Sequence, residues 1–442
     1  MTVSEFYAYH TAPCREKVYT KAGPEFGPSD CGKTMLIVRA LYGLKSSGAA
    51  FRSSLADHLW DIGYRSSKAD NDVWMRPAVK DNGFKYWEYI LCYVDDILVL
   101  SHNPMQTMRN IGQKFKFKDD KIETPTQYLG AGLSKMLNED GKECWAMSSD
   151  DYCGALVKTV EGVLEKRDLR LLSKCRTPLS HGYRPELDAT AELKQDGVQW
   201  YQELVGSLRW AAELGRVDIL LEITLMSQQL ALPREGHLEQ VLHIIAYLKL
   251  HPKFRLMFNC DPPKVDEAWF LAYDWEDFYR GATEAIPPNQ PEARGNMVIT
   301  SAFVDADLAG DKKNRRSMTG LLMFLNRAPI HWYSKKQATV EASTFGAEFI
   351  AMRTAVEMAE SFRYKLRMFG IPVDGSTNIY CDNEAVYQNT VIPESTLKKK
   401  HHSIAYHRCR EAVATKTIRV AKQGTTKNLA DLFTKVLTTQ RR

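Results

Sequence analysis

Apolar positions follow no clear period over the first 30 residues, which are rich in Pro, Gly and isolated charges and read as loop. The pattern sharpens in "KTMLIVRALYGLKSSGAAFRSSLADHLWDIGY". It predicts a strand, a turn and an amphipathic helix over roughly 46–62, with Ala50, Leu55, Leu59 and Ile62 on one face. Two apolar runs, "YWEYILCYV" and "ILVLSH", then flank Asp95 and Asp96 and predict a hairpin with two carboxylates at its tip. Helix and strand signals continue to about Leu179, and helical spacing dominates 195–250. Residues 261–295 are Pro-rich and acidic and read as a connector. From Asn296 the order is strand, hairpin, long helix, strand, helix and strand, which predicts a separate α/β domain.

Composition narrows the class of protein. The chain has 442 residues and is 44% hydrophobic, enough for several globular domains. No run of about 18 apolar residues occurs, and the first residues lack a signal-peptide pattern, so neither a membrane partner nor secretion is expected. Nine cysteines are scattered with no CxxC pair, which argues for a reducing compartment and against a cysteine-based zinc site. The net charge of +5 is uneven. Ser395–Arg442 carries 12 Lys or Arg and 2 Asp or Glu, a net of +10, leaving −5 for the rest (5 − 10). A basic end on a slightly acidic chain suggests a polyanion partner, nucleic acid first, although a solvated lysine-rich face would look the same.

Acidic residues of the last domain fall where strands and helices should end. Asp305 and Asp307 lie two apart in "FVDAD" and share one face if this is a strand. Glu348 interrupts the apolar face of the long helix near its start, Asp382 follows the apolar "NIYC", and Asp431 opens a final helix, "ADLFTKVL". Four carboxylates brought together would repel one another unless divalent cations neutralised them. Mg²⁺, a hard cation that takes oxygen ligands, suits such a set, and paired ions support phosphodiester hydrolysis. Each residue also has an ordinary structural reading, as a turn former or a helix-dipole acid.

Longer motifs carry a more specific signal. "YVDDIL" resembles the catalytic motif of reverse transcriptases, and "RALYGLKSSGAAF" resembles the "LYGLKQ" signature of copia-type retrotransposon polymerases. "REKVYTKAGPEFG", "QYLGAGL", "CRTPL", "YQELVGSLRW" and "GRVDI" match the same family in order. The C-terminal part resembles the family's ribonuclease H in "FVDADLAGD", "RRSMTGLLMFLN", "IHWYSKKQATVEASTFGAEFIAM", "IYCDNEAV", "KKKHHSIAYHRCRE" and "LADLFTKVL". The resemblance covers nearly the whole chain from about Arg15. It implies an α/β protein made of an α+β polymerase palm without fingers (1–179), a helical connection and acidic linker (180–295) and a ribonuclease H-like α/β domain (296–442).

It also implies site residues. Asp95 and Asp96 would bind metal for nucleotidyl transfer, flanked by Tyr93 and Val94, with Lys45 near template and nucleotide. Asp305, Glu348, Asp382 and Asp431 would hold two Mg²⁺, with Mn²⁺ as a substitute, and hydrolyse RNA in RNA–DNA hybrids. Lys400 and His401 would face the hybrid's phosphates. The implied partners are RNA–DNA hybrid, RNA template and DNA, with deoxynucleotides where the polymerase site is complete. Family members work in cytoplasmic particles and deliver DNA to the nucleus. The palm departs from the pattern. A third carboxylate is expected on an earlier strand and falls at about Ser4, while Glu5 beside it would point to the other face. Polymerisation is therefore not expected of this chain, hybrid hydrolysis is, and a catalytically dead nucleic-acid binder is the alternative from another class.

Overall fold

Residues 2–5, 13–39, 44–94, 96–117, 122–398 and 400–438 are described by a computed structural model, with backbone alone at 2–5, 13–16 and 39. They form two compact units. The first comprises 1–129, 289–296 and 367–372, the second 130–288, 297–366 and 373–442. Each is taken by itself.

The first unit runs β1 (Thr2–Glu5), β2 (Pro13–Lys21), β3 (Thr34–Arg39), α1 (Ser47–Asp61), β4 (Arg65–Ser66), β5 (Val73–Val79), β6 (Lys85–Tyr93), β7 (Asp96–Leu100), α2 (Pro104–Gly112) and β8 (Gln127–Tyr128). An antiparallel sheet has the order β1-β7-β6-β5-β4. The expected hairpin is β6–β7. Its apolar alternation buries Ile90, Ile97 and Val99 against Phe51, Leu55 and Leu59 of α1 and Met108 and Ile111 of α2. Inside the hairpin, Glu88 is buried and accepts hydrogen bonds from Arg76 Nη2 (2.7 Å), the Tyr64 hydroxyl (3.0 Å) and Ser101. Burial opposes its charge, but the Ser101 and Arg76 hydrogen bonds hold its pKa below the usual carboxylate value.

The first 30 residues are not simply loop. β1 forms the sheet's edge against β7, and β2 pairs with β3. Both strands are specified by partners farther along the chain, which local alternation does not reveal.

The second unit begins with β9 (Ala131–Leu137), β10 (Glu143–Ser148), α3 (Asp150–Glu165), α4 (Gln195–Glu213), α5 (Leu220–Ser227), α6 (Glu235–Leu250) and β11 (Leu256–Phe258). β10 pairs antiparallel with β9 and β11. The helices bury Val157, Tyr201, Leu208, Ile223, Val241 and Ile245 in one cluster. "GRVDI" lies at the turn into α5. There Arg216, 1% exposed, donates to both carboxylate oxygens of Asp218 at 2.9 and 2.8 Å, and Tyr247 of α6 donates to the same carboxylate. Removing one partner of so buried a pair costs about 3–5 kcal/mol, because the other charge is left unpaired.

The chain continues through β12 (Thr300–Ala306), β13 (Met318–Leu325), β14 (Ala328–Lys336), α7 (Thr344–Met368), β15 (Thr377–Cys381), α8 (Glu384–Val391), α9 (Ser403–Ala414) and β16 (Ile418–Lys422). The sheet order is β14-β13-β12-β15-β16, with β12–β15 and β15–β16 parallel and the rest antiparallel. α7 lays Ala347, Ala351, Met352, Ala355 and Val356 on the core of this sheet, helical spacing on small residues that brings the helix close.

Residues 261–288 lie along this part of the unit. Glu267 pairs with both terminal nitrogens of Arg419, Trp275 stacks under Arg410 (4.8 Å), the Tyr279 hydroxyl bonds His407 Nδ1 (2.9 Å), and Glu284 takes Arg363 at 2.7 and 2.9 Å.

The expected final helix at Asp431 is instead a 3₁₀ turn, Leu429–Phe433. Asn428 caps it by accepting from the Ala430 amide and ties it to β12 by donating to the Val304 carbonyl at 2.9 Å. The turn lies flat on β13 at Gly320. A β-carbon there would stand 2.8 Å from the Ala430 carbonyl and 2.7 Å from Thr434.

Candidate active site

Strand register places the acidic residues. β12 is central, and its parallel pairing with β15 runs Ser301 with Asn378 through Phe303 with Tyr380. Continued two residues, the same register sets Asp305 level with Asp382. Both therefore stand at the carboxyl ends of adjacent parallel strands, where α/β sheets bind ligands. Asp305 also pairs with Gly320 on its other side, and this side-chain-free position admits the turn that carries Asp431.

Carboxylate oxygens of Asp305, Asp382 and Asp431 all lie within 4.8 Å of one another. Asp305 and Asp431 are buried, and Asp382 is half-buried. Glu348, buried in the first turns of α7, stands beside them. Its Oε2 accepts from the Ala306 amide at 3.1 Å, next in sequence to Asp305. Burial pushes Glu348 up to about 9, with the charges of Asp305 and Asp382 acting the same way, so it holds a proton at neutral pH. Burial raises Asp305 as well, against the opposing charge of Lys435.

Asp307 lies one residue beyond the end of β12, and its carboxylate accepts from the Met318 amide. Burial brings it up to about 6, with Asp305 adding to the rise. A cavity of about 310 Å³ opens beside it, lined among others by Arg184, Asp307, Asp311, Lys336 and Lys435.

Two neighbours went unremarked in the sequence. Lys435 Nζ donates to Asp431 Oδ1 at 2.7 Å and to Asp305 Oδ1 at 3.1 Å, and the Thr434 hydroxyl donates to Asp305. Burial works against the Lys435 ammonium, but the two carboxylates more than offset it and hold its pKa above the ordinary lysine value. The spacing Asp431–Lys435, i to i+4, was the available signal. The ammonium bridging two carboxylates offsets part of their charge. An all-oxygen, anionic donor set of this kind fits a hard divalent ion.

Lys400 and His401 are exposed in the 3₁₀ turn Lys400–His402, which precedes α9. In the first unit, Asp95 lies outside the described residues. Tyr93 and Val94 are exposed, and Val94 takes φ 53°, a left-handed conformation that costs a β-branched residue about 1–2 kcal/mol. Asp96 is half-buried and opens β7, and Lys45 is exposed before α1. The β1–β7 register sets Glu5 opposite Asp96 and Ser4 opposite Ile97. The backbone position across from Asp96 therefore belongs to Glu5.

No protein-family model matches the chain. The retrovirus-related Pol polyprotein from transposon RE1 of Arabidopsis thaliana is 27% identical over 426 residues, covering 96% of this chain and 25% of that polyprotein. The Pol polyprotein from transposon TNT 1-94 of Nicotiana tabacum is 26% identical over 430 residues, covering 96% of this chain and 28% of its own. Among solved structures, LC11-RNase H1 in complex with an RNA/DNA hybrid aligns at 15% identity over 30% of this chain and 93% of that one, with a TM-score of 0.25. The chain thus spans about a quarter of the length of these two relatives, and along 96% of its own length it is homologous to the Pol polyproteins of copia-type plant transposons.

Proposed function

We propose that the second unit cleaves the RNA strand of RNA–DNA hybrids in a reaction that depends on Mg²⁺. The observation that carries this reading is the convergence of Asp305, Asp382 and Asp431 within 4.8 Å at the ends of two parallel strands, with Glu348 alongside. Asp305, Asp382 and Asp431 would hold the cation, and Glu348 would complete the set once its proton leaves. Mg²⁺ bound there supplies neutralisation of the scissile phosphate and a lowered pKa for the attacking water. The chain's own residues do the rest. Thr434 fixes the Asp305 carboxylate, and Asn428 fixes the turn that presents Asp431. Exposed Lys400 and His401 lie on the basic stretch that would follow the phosphate backbone.

The test is cleavage of a labelled RNA–DNA hybrid by the purified chain in Mg²⁺ and in EDTA, beside Asp305→Asn and Asp382→Asn. Metal-dependent cleavage lost in both variants is the expected result. Cleavage that survives Asp382→Asn would overturn the assignment of the site. Absence of cleavage by folded protein would leave the alternative, a non-catalytic nucleic-acid binder.

For the first unit we propose a reverse-transcriptase palm with little or no polymerase activity of its own. Ser4 stands where the family's third carboxylate is expected. A two-metal site that lacks one of its carboxylates loses part of its hold on the ions that flank the attacking and leaving oxygens. Robust primer extension in Mg²⁺ that is lost in Asp96→Asn would refute this.

A further inference from the structure

A second cluster of ligating side chains lies outside the carboxylate site. Glu341, His401 and His402 each present one donor atom, and the three atoms lie within 4.8 Å of one another. Glu341 Oε2 stands 3.4 Å from His402 Nε2, with the two side chains only 8% and 3% exposed. The rings of His401 and His402 are 4.0 Å apart although the residues are adjacent in a 3₁₀ turn, where consecutive side chains normally diverge. The space is kept open by Gly346 in the first turn of α7. A β-carbon there would stand 2.5 Å from Glu341 Oε2 and 2.9 Å from His402 Nε2.

An ordinary glutamate–histidine ion pair accounts for two of these residues. It does not account for His401, which is exposed and turned onto the same point. The carboxylate excludes a phosphate as the shared ligand, since like charges would meet. Two imidazole nitrogens with one carboxylate oxygen is a borderline donor set, poor for Mg²⁺ and well matched to Zn²⁺, which takes three protein ligands and leaves a fourth position open.

We propose that Glu341, His401 and His402 form a zinc site distinct from the carboxylate centre. The ion fastens the basic turn at Lys400–His402 to the segment that leads into α7. Its physical effect is to fix a stretch of positive charge beside the helix that carries Glu348.

The test is titration of the full chain with Zn²⁺ against a chromophoric chelator, in excess Mg²⁺. Exposed Cys31 and Cys260, and Cys14, are replaced by Ser so that their thiols do not compete. One Zn²⁺ per chain is expected. His401→Ala and Glu341→Gln should each weaken it at least ~10-fold, the scale already seen for residues that only support a ligand. Asp382→Asn should leave it unchanged. His401 is exposed, so its replacement leaves the fold intact. Zinc binding lost in Asp382→Asn but kept in His401→Ala would place the ion in the carboxylate site and overturn the proposal. No stoichiometric binding would overturn it as well. None of these readouts depends on hybrid cleavage.

Discussion

Lys435→Met removes the cation that bridges Asp305 and Asp431. At 2.7 and 3.1 Å, and with an effective dielectric near 20, each ammonium–carboxylate contact is worth about 5–6 kcal/mol before desolvation. The net figure is much smaller. Breaking a buried pair by deleting one partner costs about 3–5 kcal/mol. The Lys435 side chain is 34% exposed while its partners are 0% and 5% exposed, so solvent screening places the loss at the lower end, about 3 kcal/mol. In EDTA the variant should unfold in urea with its stability reduced by that amount. In saturating Mg²⁺ the gap should close to within about 1 kcal/mol, because a divalent ion takes over the neutralisation. By the same linkage, Mg²⁺ should bind the variant up to about 100-fold more tightly, since it no longer displaces an ammonium. An equal loss of stability in EDTA and in Mg²⁺ would refute the reasoning and make Lys435 an ordinary packing residue.

Three further outcomes follow from the same site. Asp307 has a folded pKa of about 6 against an unfolded 3.8, so the folded state binds its proton more tightly and stability falls as pH rises from about 4 to 6, by about 3 kcal/mol in total. In EDTA, Asp307→Asn should lack this slope and be the more stable protein at pH 7, which the difference between two pH–stability curves measures. Glu348, at about 9, must lose a proton before it can ligate, so Mg²⁺ affinity should rise with pH by up to about tenfold per unit below 9, and calorimetric titration of Glu348→Gln should show a shallower dependence. Gly320→Ala should cost about 1–3 kcal/mol by overpacking against Ala430, Phe433 and Thr434 and should abolish hybrid cleavage, although residue 320 carries no chemistry; retained cleavage would show that the Asp431 turn has room to shift.

Sequence pattern was informative where one element sufficed. The β6–β7 hairpin, α1, the helices over 195–250 and the strands ending at Asp305 and Asp382 all follow from local periodicity. So does the position of Glu348, a charge on an otherwise apolar helix face. What periodicity does not carry is register between distant elements. β1 is a strand because β7 offers it an edge, and only that pairing sets the Glu5 backbone across from Asp96. The 3₁₀ turn at Asp431 depends on Asn428 reaching Val304 and on the missing side chain at Gly320, contacts made more than a hundred residues back. Lys435 was in plain view four residues after Asp431. Its role depends equally on Asp305, which no spacing rule connects to it.

Residues 261–288 have a consequence for how this protein can be divided. Read from composition, they mark a place to cut. Yet Arg363 and Arg410 are each 2% exposed, and their partners, Glu284 and Trp275, lie upstream of Asn296, as does the Glu267 that holds Arg419. A fragment begun at Asn296 would strip all three arginines of those partners and uncover Tyr380, whose ring Phe270 meets edge to face. A piece that keeps its own surface intact also needs the helices before Asp266, because Phe433 is buried in their core cluster. Gene fusions, truncations and recombination breakpoints inside 266–288 should therefore yield insoluble C-terminal halves.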